Sequence, residues 1–194
     1  MTWVVDPLDG TTNFVHQFPF VAVSIALLEE GMPIVGVVYN PILHECFAAV
    51  RGLGATLNGT PLHVSSVSQL SRSLLATGFA YDRRDQPDTN YPEFARLTHL
   101  TQGVRRAGAA SLDLAYVAAG RLDAYWERGV QLWDIAAGQL LVQEAGGKVT
   151  SYTGQPLDLQ NIRILASNTS IAQRDDPKPY YLIRYLIKCD NINS

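Results

Sequence analysis

The chain has 194 residues and a formal net charge of −3, with 47% hydrophobic, 17% charged and 9% aromatic residues. These proportions fit a globular protein and exclude a disordered chain, which combines low hydrophobicity with high net charge. A pI near 5.7 gives no electrostatic footprint for duplex nucleic acid, and no apolar run approaches the ~18 residues that span a bilayer.

In chain order, Trp3-Val4-Val5-Asp6 reads as a buried strand that begins almost at Met1. Residues 21–28, 34–39 and 45–50 are apolar and rich in branched side chains, which predicts three more strands. The turns between them (Glu29-Glu30-Gly31, Asn40-Pro41, Arg51-Gly52-Leu53-Gly54) are short and predict an antiparallel meander. A short strand over 55–57, the turn Asn58-Gly59 and the segment 62–64 complete this block. Residues 74–77 read as a strand and 82–88 as irregular. The spacing of Phe94, Leu97 and Leu100 predicts a helix over 92–100. Ser111 as an N-cap predicts a helix over 112–119, closed by Gly120. A strand over 122–126 follows. Asp134 is expected to cap a helix over 135–145, stopped by Gly146-Gly147. Residues 148–151 and 163–166 read as short strands. Strands alternating with helices predict a layered α/β arrangement.

Several residue groups read as unremarkable. Cys46 and Cys189 fit no metal spacing and read as free thiols in a reducing compartment. His16, His44, His63 and His99 form no zinc pattern. Arg83-Arg84 and Arg105-Arg106 each read as solvated surface or one ion-pair site. No basic, apolar leader precedes the first strand, so the expected location is cytoplasmic. In residues 174–194, Tyr181, Leu182, Tyr185 and Leu186 form one face of a short helix, with no chemistry visible.

Two segments carry chemistry. In Asp6-Pro7-Leu8-Asp9-Gly10-Thr11-Thr12-Asn13-Phe14, Pro7 biases Asp6 toward an extended backbone, and Asp9 follows across a tight turn. Two carboxylates and the Leu8 carbonyl then converge on one small volume. Hard cations such as Mg²⁺ take oxygen ligands of this kind. Gly10 lets the backbone approach closely, and the amides of Gly10, Thr11 and Thr12 can point at an anion. An Asp-Gly turn with a capping threonine is the plainer reading of the same residues. In Trp133-Asp134-Ile135-Ala136-Ala137-Gly138, the small residues let a helix lie close to a sheet. That brings Asp134 near a strand end, where a third acidic ligand completes a two-metal site.

These two segments resemble the signature motifs of the inositol monophosphatase family. Gly108-Ala109-Ala110-Ser111-Leu112-Asp113 and Asp123-Ala124-Tyr125-Trp126-Glu127 fall between them in the family's order, and the resemblance covers residues 2–173. It implies a layered α/β/α/β/α sandwich and a Mg²⁺-dependent phosphomonoesterase that acts by metal-activated water, usually as a homodimer. It further implies that Asp6 bridges two metals, that the Leu8 carbonyl binds one, and that Asp9 and Asp134 bind the other. By the same resemblance the Gly10 and Thr11 amides hold the phosphate, with Thr12 beside them as a substrate-binding residue, and the Thr11 hydroxyl helps orient the attacking water. Ala110 and Glu127 match positions that contact the hydroxyl-bearing part of the substrate. The implied substrate is a small phosphomonoester, inositol 1-phosphate or a similar polyol phosphate, with histidinol phosphate as an alternative.

The family also carries a longer N-terminal part, with helices, the first strands and a Gly-Glu-Glu type motif that supplies one more metal ligand. No matching segment is found between residues 1 and 194. Glu29, Glu30 and Glu45 lie at hairpin ends and read as solvated. The expected organisation is therefore a remnant of the N-terminal metal-binding α+β domain over 1–66, a C-terminal α/β domain over 67–173 and an atypical tail over 174–194. A chain of this kind is expected to be poorly active and poorly soluble alone. It is then either a phosphatase, a catalytically impaired fragment or partner of a complete homologue, or the product of a partial gene.

Overall fold

The computed structural model describes residues 1–159 and 162–171. The expectations for residues 174–194 and for Cys189 lie outside them. β1 (Thr2–Asp9), β2 (Ala22–Glu29), β3 (Met32–Asn40), β4 (Glu45–Val50), β5 (Gly54–Leu57) and β6 (Thr60–Pro61) form one antiparallel sheet in sequential order. This is the meander that the short polar turns predict. Residues 62–64 are not a strand. Leu62 and Val64 instead pack onto the core, and the Val64 amide donates to the Ala145 carbonyl at 3.1 Å.

A second sheet contains β7 (Leu74–Thr77), β8 (Gly103–Arg105), β9 (Ala124–Arg128), β10 (Lys148–Ser151) and β11 (Arg163–Ser167), in the order β10-β11-β9-β7-β8. β7 runs parallel to β8 and β9, and β9, β11 and β10 pair antiparallel. The helices are α1 (Thr11–Val15), α2 (Tyr91–Leu100), α3 (Ala110–Ala118) and α4 (Leu132–Glu144).

α3 and α4 lie between the sheets. They are apolar on nearly every side, as a helix between two sheets must be. Their Leu112, Ala115, Ile135 and Leu141 join Val38 and Phe47 of the first sheet and Tyr125 and Ile164 of the second in one core. The outer face of the second sheet is covered by α2, where Leu97 packs with Leu75, Trp126 and Leu165. Gly36 of β3 sets the distance between the first sheet and α4: a Cβ there would lie 2.9 Å from the Ala137 carbonyl oxygen. The small residues of α4 thus bring helix and sheet together as their sequence predicts.

Only one face of β1 is buried, a correction to the fully buried strand expected. Val4 packs against the core, whereas Trp3 is 64% and Val5 48% exposed. Trp3 is in register with Leu27, and Leu27 with Val35; Val5 is in register with Ile25, and Ile25 with Val37. Directly opposed residues share a face, so these apolar side chains stand on the side of the sheet opposite α3 and α4.

Candidate active site

Asp6 and Asp9 are three residues apart on one strand. In a regular strand that spacing puts them on opposite faces. The β1–β2 register shifts between Asp6 and Asp9, where Pro7 supplies no amide for the ladder. The irregularity turns both carboxylates toward α4, and the Leu8 amide closes the turn by donating to Asp6 Oδ1 at 3.0 Å. Leu8 itself is half-buried between them.

Asp134 approaches from α4. The helix starts one turn earlier than expected: Gln131 is the N-cap and Asp134 the third helical residue. Asp134 Oδ2 accepts the Gln131 amide at 2.7 Å, so it is the reaching-back half of a capping box. One oxygen each of Asp6, Asp9 and Asp134 lies within 4.8 Å of the others. Burial, followed by repulsion from the neighbouring acids, pushes Asp9 and Asp134 up to about 6.

Ser111, expected as an N-cap, lies inside α3, where the N-cap position belongs to Ala109. Its amide at 2.8 Å and its hydroxyl at 2.5 Å both donate to Asp9 Oδ2. Gly10 sits at φ 84° before α1, and a Cβ there would meet the Phe20 carbonyl at 2.8 Å. Thr11 and Thr12 occupy the exposed first turn of α1, where amides have no partner within the helix. Asn13 fixes this turn, donating to the carbonyls of Phe20 at 2.8 Å and Ala107 at 2.9 Å. Sequence reasoning assigned Asn13 no role, because both partners lie outside its own helix.

The carboxylates open on a cleft of about 410 Å³ whose walls include Asp9, Asp134, Thr12, Ala110, Asp113 and Glu127. Glu127 shares a face of β9 with Tyr125, whose hydroxyl donates to Glu127 Oε2 at 2.5 Å. Burial pushes Glu127 up to about 7. Arg83 and Arg106 border the same cleft, and the Arg106 guanidinium lies 5.9 Å from the centre of the Phe79 ring. Arg84, Arg105 and Arg106 are exposed as expected and Arg83 is half-buried; that Arg83 and Arg106 also border the cleft is something a pair of adjacent arginines gives no sequence signal to foresee. Glu45, also read as solvated, is paired with Arg121 at 2.6 Å. The cleft thus gathers Asp9, Asp134, Thr12, Ala110 and Glu127, with Asp6 joining at the carboxylate cluster. The arrangement can bind a hard cation beside an anion and present a buried carboxyl group to whatever the anion carries.

The sequence profile described as the Inositol monophosphatase family matches residues 1–178. An inositol-1-monophosphatase of Synechocystis sp. is 60% identical over 88% of this chain and 60% of its own length. A Nus factor SuhB of Pseudomonas aeruginosa is 53% identical over 86% of this chain and 62% of its own. The chain thus spans less than two thirds of the length of these two relatives. The structure of an inositol monophosphatase from Anabaena (Nostoc) sp. superposes with a TM-score of 0.91 at 57% identity, covering 96% of this chain and 73% of that one. The two long motifs, their order, and this likeness over most of the chain place it in the inositol monophosphatase family.

Proposed function

We propose that this chain is the catalytic part of a Mg²⁺-dependent phosphomonoester hydrolase acting on inositol 1-phosphate or a similar polyol phosphate. The observation that carries the reading is the meeting of Asp6, Asp9 and Asp134 within 4.8 Å at the end of a cleft that also holds Glu127. All three donors are oxygens, the set that Mg²⁺ prefers. Burial, followed by the mutual repulsion of the acids, raises the pKa values of Asp9 and Asp134, and a divalent cation relieves that repulsion. The residues present therefore fit the ion: Asp6, Asp9, Asp134 and the Leu8 carbonyl would hold it. When bound it supplies Lewis-acid stabilisation of the phosphoryl oxygens and makes water a better nucleophile at neutral pH.

The remaining work falls to the chain's own groups. The Gly10, Thr11 and Thr12 amides hold phosphate oxygens at the start of α1. The Thr11 hydroxyl orients the attacking water for in-line displacement. Ser111 fixes the Asp9 carboxylate. Glu127, with one oxygen engaged by Tyr125, offers the other to a substrate hydroxyl beside the backbone of Ala110. In this reading residues 1–66 supply Asp6, Leu8 and Asp9 to the metal site, and 67–173 supply Asp134 and complete the cleft. The cysteine spacing adds a reducing compartment, the cytoplasm, and the family resemblance a homodimer, as its setting.

The test is phosphate release from myo-inositol 1-phosphate during a Mg²⁺ titration. Release is expected to saturate with Mg²⁺. Asp134→Asn should lower it by more than about 100-fold, beyond the 10- to 100-fold typical of losing an outer hydrogen-bond partner of a metal ligand. Release that survives chelation, or survives Asp134→Asn, sinks the reading. The 53% identity to a Nus factor supports a second role, as a binding partner without turnover. A folded chain that releases no phosphate at any Mg²⁺ concentration would favour it.

A further inference from the structure

Asp113 lies on α3, three residues before Tyr116, and is 2% exposed. It lines the same cleft as Asp9, Glu127 and Asp134. Its neighbours are tied to the protein: Asp9 by Ser111, Glu127 by Tyr125. Asp123, equally buried, accepts the Ser65 hydroxyl and the Leu74 amide. The Asp113 carboxyl has no hydrogen bond or ion pair with any described residue. A buried carboxyl group without a partner is costly. It also stands apart from the carboxylate cluster, which consists of Asp6, Asp9 and Asp134.

We propose that Asp113 is a specificity-determining residue that, together with Glu127, reads neighbouring hydroxyl groups on the alcohol portion of the substrate. The proposal rests on the phosphatase reading above and adds to it a second carboxyl group, beside Glu127, that selects the alcohol portion. Three observations point there. Asp113 lines the cleft, and no partner among the described residues already occupies its carboxyl group. The other acids of that wall exclude an anionic partner. A cationic partner would compete with Arg106, which already lies close enough to counter the Asp113 charge. What fits is a neutral group that both donates and accepts. Burial, followed by the charge of Glu127, pushes Asp113 well above the usual carboxylate range, and a carboxyl group takes hydroxyl partners whether or not it carries its proton. Vicinal hydroxyls complement that pair of carboxyl groups, and a site built to hydrogen-bond hydroxyls discriminates strongly against analogues that lack them.

The experiment compares kcat/KM for myo-inositol 1-phosphate with that for phenyl phosphate in the wild type, Asp113→Leu, Asp113→Ala and Asp113→Asn. The ratio should fall by about 10- to 100-fold in the Leu and Ala variants. Asn, which also donates and accepts, should restore most of it. A similar-sized apolar residue removes a buried unpaired carboxyl, so Asp113→Leu should melt no lower than the wild type. The Ala variant carries the same expectation if Leu does not fit. A ratio that stays constant, or one that Asn fails to rescue, overturns the proposal. If the wild type hydrolyses neither ester, the phosphatase reading fails on its own. Saturation-transfer NMR with myo-inositol and cyclohexanol then decides: a preference for myo-inositol that is lost in Asp113→Ala supports the proposal, and equal signals in both proteins refute it.

Discussion

Ser111 gives both of its donors to one oxygen, Asp9 Oδ2, from amide and hydroxyl alike. That pairing lowers the cost of keeping Asp9 charged, against the larger effect of burial. Removing the hydroxyl leaves the carboxylate with one donor and freer to rotate. Ser111→Ala should therefore weaken Mg²⁺ binding by about 10- to 100-fold, read by calorimetric titration of the metal. Unchanged affinity would show that the amide alone suffices. The same residue shows what a sequence can and cannot tell. A serine before an apolar run reads as a helix cap, and its real partner is 102 residues away. Asp6, Asp9 and Asp134 were legible because their spacing to Pro7, Gly10 and the small residues of α4 is local. Asp113 and Arg106 were not, because their importance comes from the cleft they line and not from their neighbours in the chain.

At the scale of elements, the site depends on how closely α4 lies on β3. Asp134 rides on the first turn of that helix, while Asp6 and Asp9 ride on β1, two strands away in the same sheet. Gly36 is where helix and sheet meet, with Ala137 backbone atoms 2.9 and 3.0 Å from the position a Cβ would take. Backbone cannot rotate away as a side chain can. Gly36→Ala should cost about 1–3 kcal/mol of stability, the usual range for overpacking, measured by denaturant unfolding. It should also weaken Mg²⁺ binding, because separating α4 from the sheet spreads the three carboxylates. Lost stability with unaltered metal affinity would mean that β1 follows the helix. Strand and helix positions were largely readable from periodicity and turn residues. The misses have physical causes. β8 is three residues long, too short for a period to register. Residues 62–64 alternate like a strand but spend their apolar side chains on the helix layer. The exposure of Trp3 and Val5 follows from which face α3 and α4 cover, and an apolar sequence of this kind does not distinguish one buried face from two.

For the whole molecule, the layering concentrates carboxyl groups of both halves in one cleft, and their protonation couples to folding. Asp9 and Asp134 move from an ordinary 3.8 to about 6, and Glu127 from 4.5 to about 7, with burial the leading cause for each. The folded state thus binds these protons more tightly than the unfolded state does. Below the ordinary values both states are protonated and the contribution to stability is complete. As pH rises, the unfolded chain releases its protons first, and the stability drains away until the folded groups ionise near 6 and 7. The metal-free chain should therefore have a lower Tm at pH 8 than at pH 5. Mg²⁺ should reverse the trend, because in the proposed function it binds the ionised cluster and competes with protons for it, so its stabilising effect should be large at pH 8 and small at pH 5. Asp134→Asn removes one titrating member while keeping an acceptor for the Gln131 amide. It should raise the metal-free Tm at pH 8, flatten the pH slope and shrink the response to Mg²⁺. Differential scanning calorimetry across pH 4–8, with and without Mg²⁺, tests all three. A metal-free Tm that is flat or rises from pH 5 to pH 8 would show that these carboxyl groups are better solvated than their placement in the cleft requires.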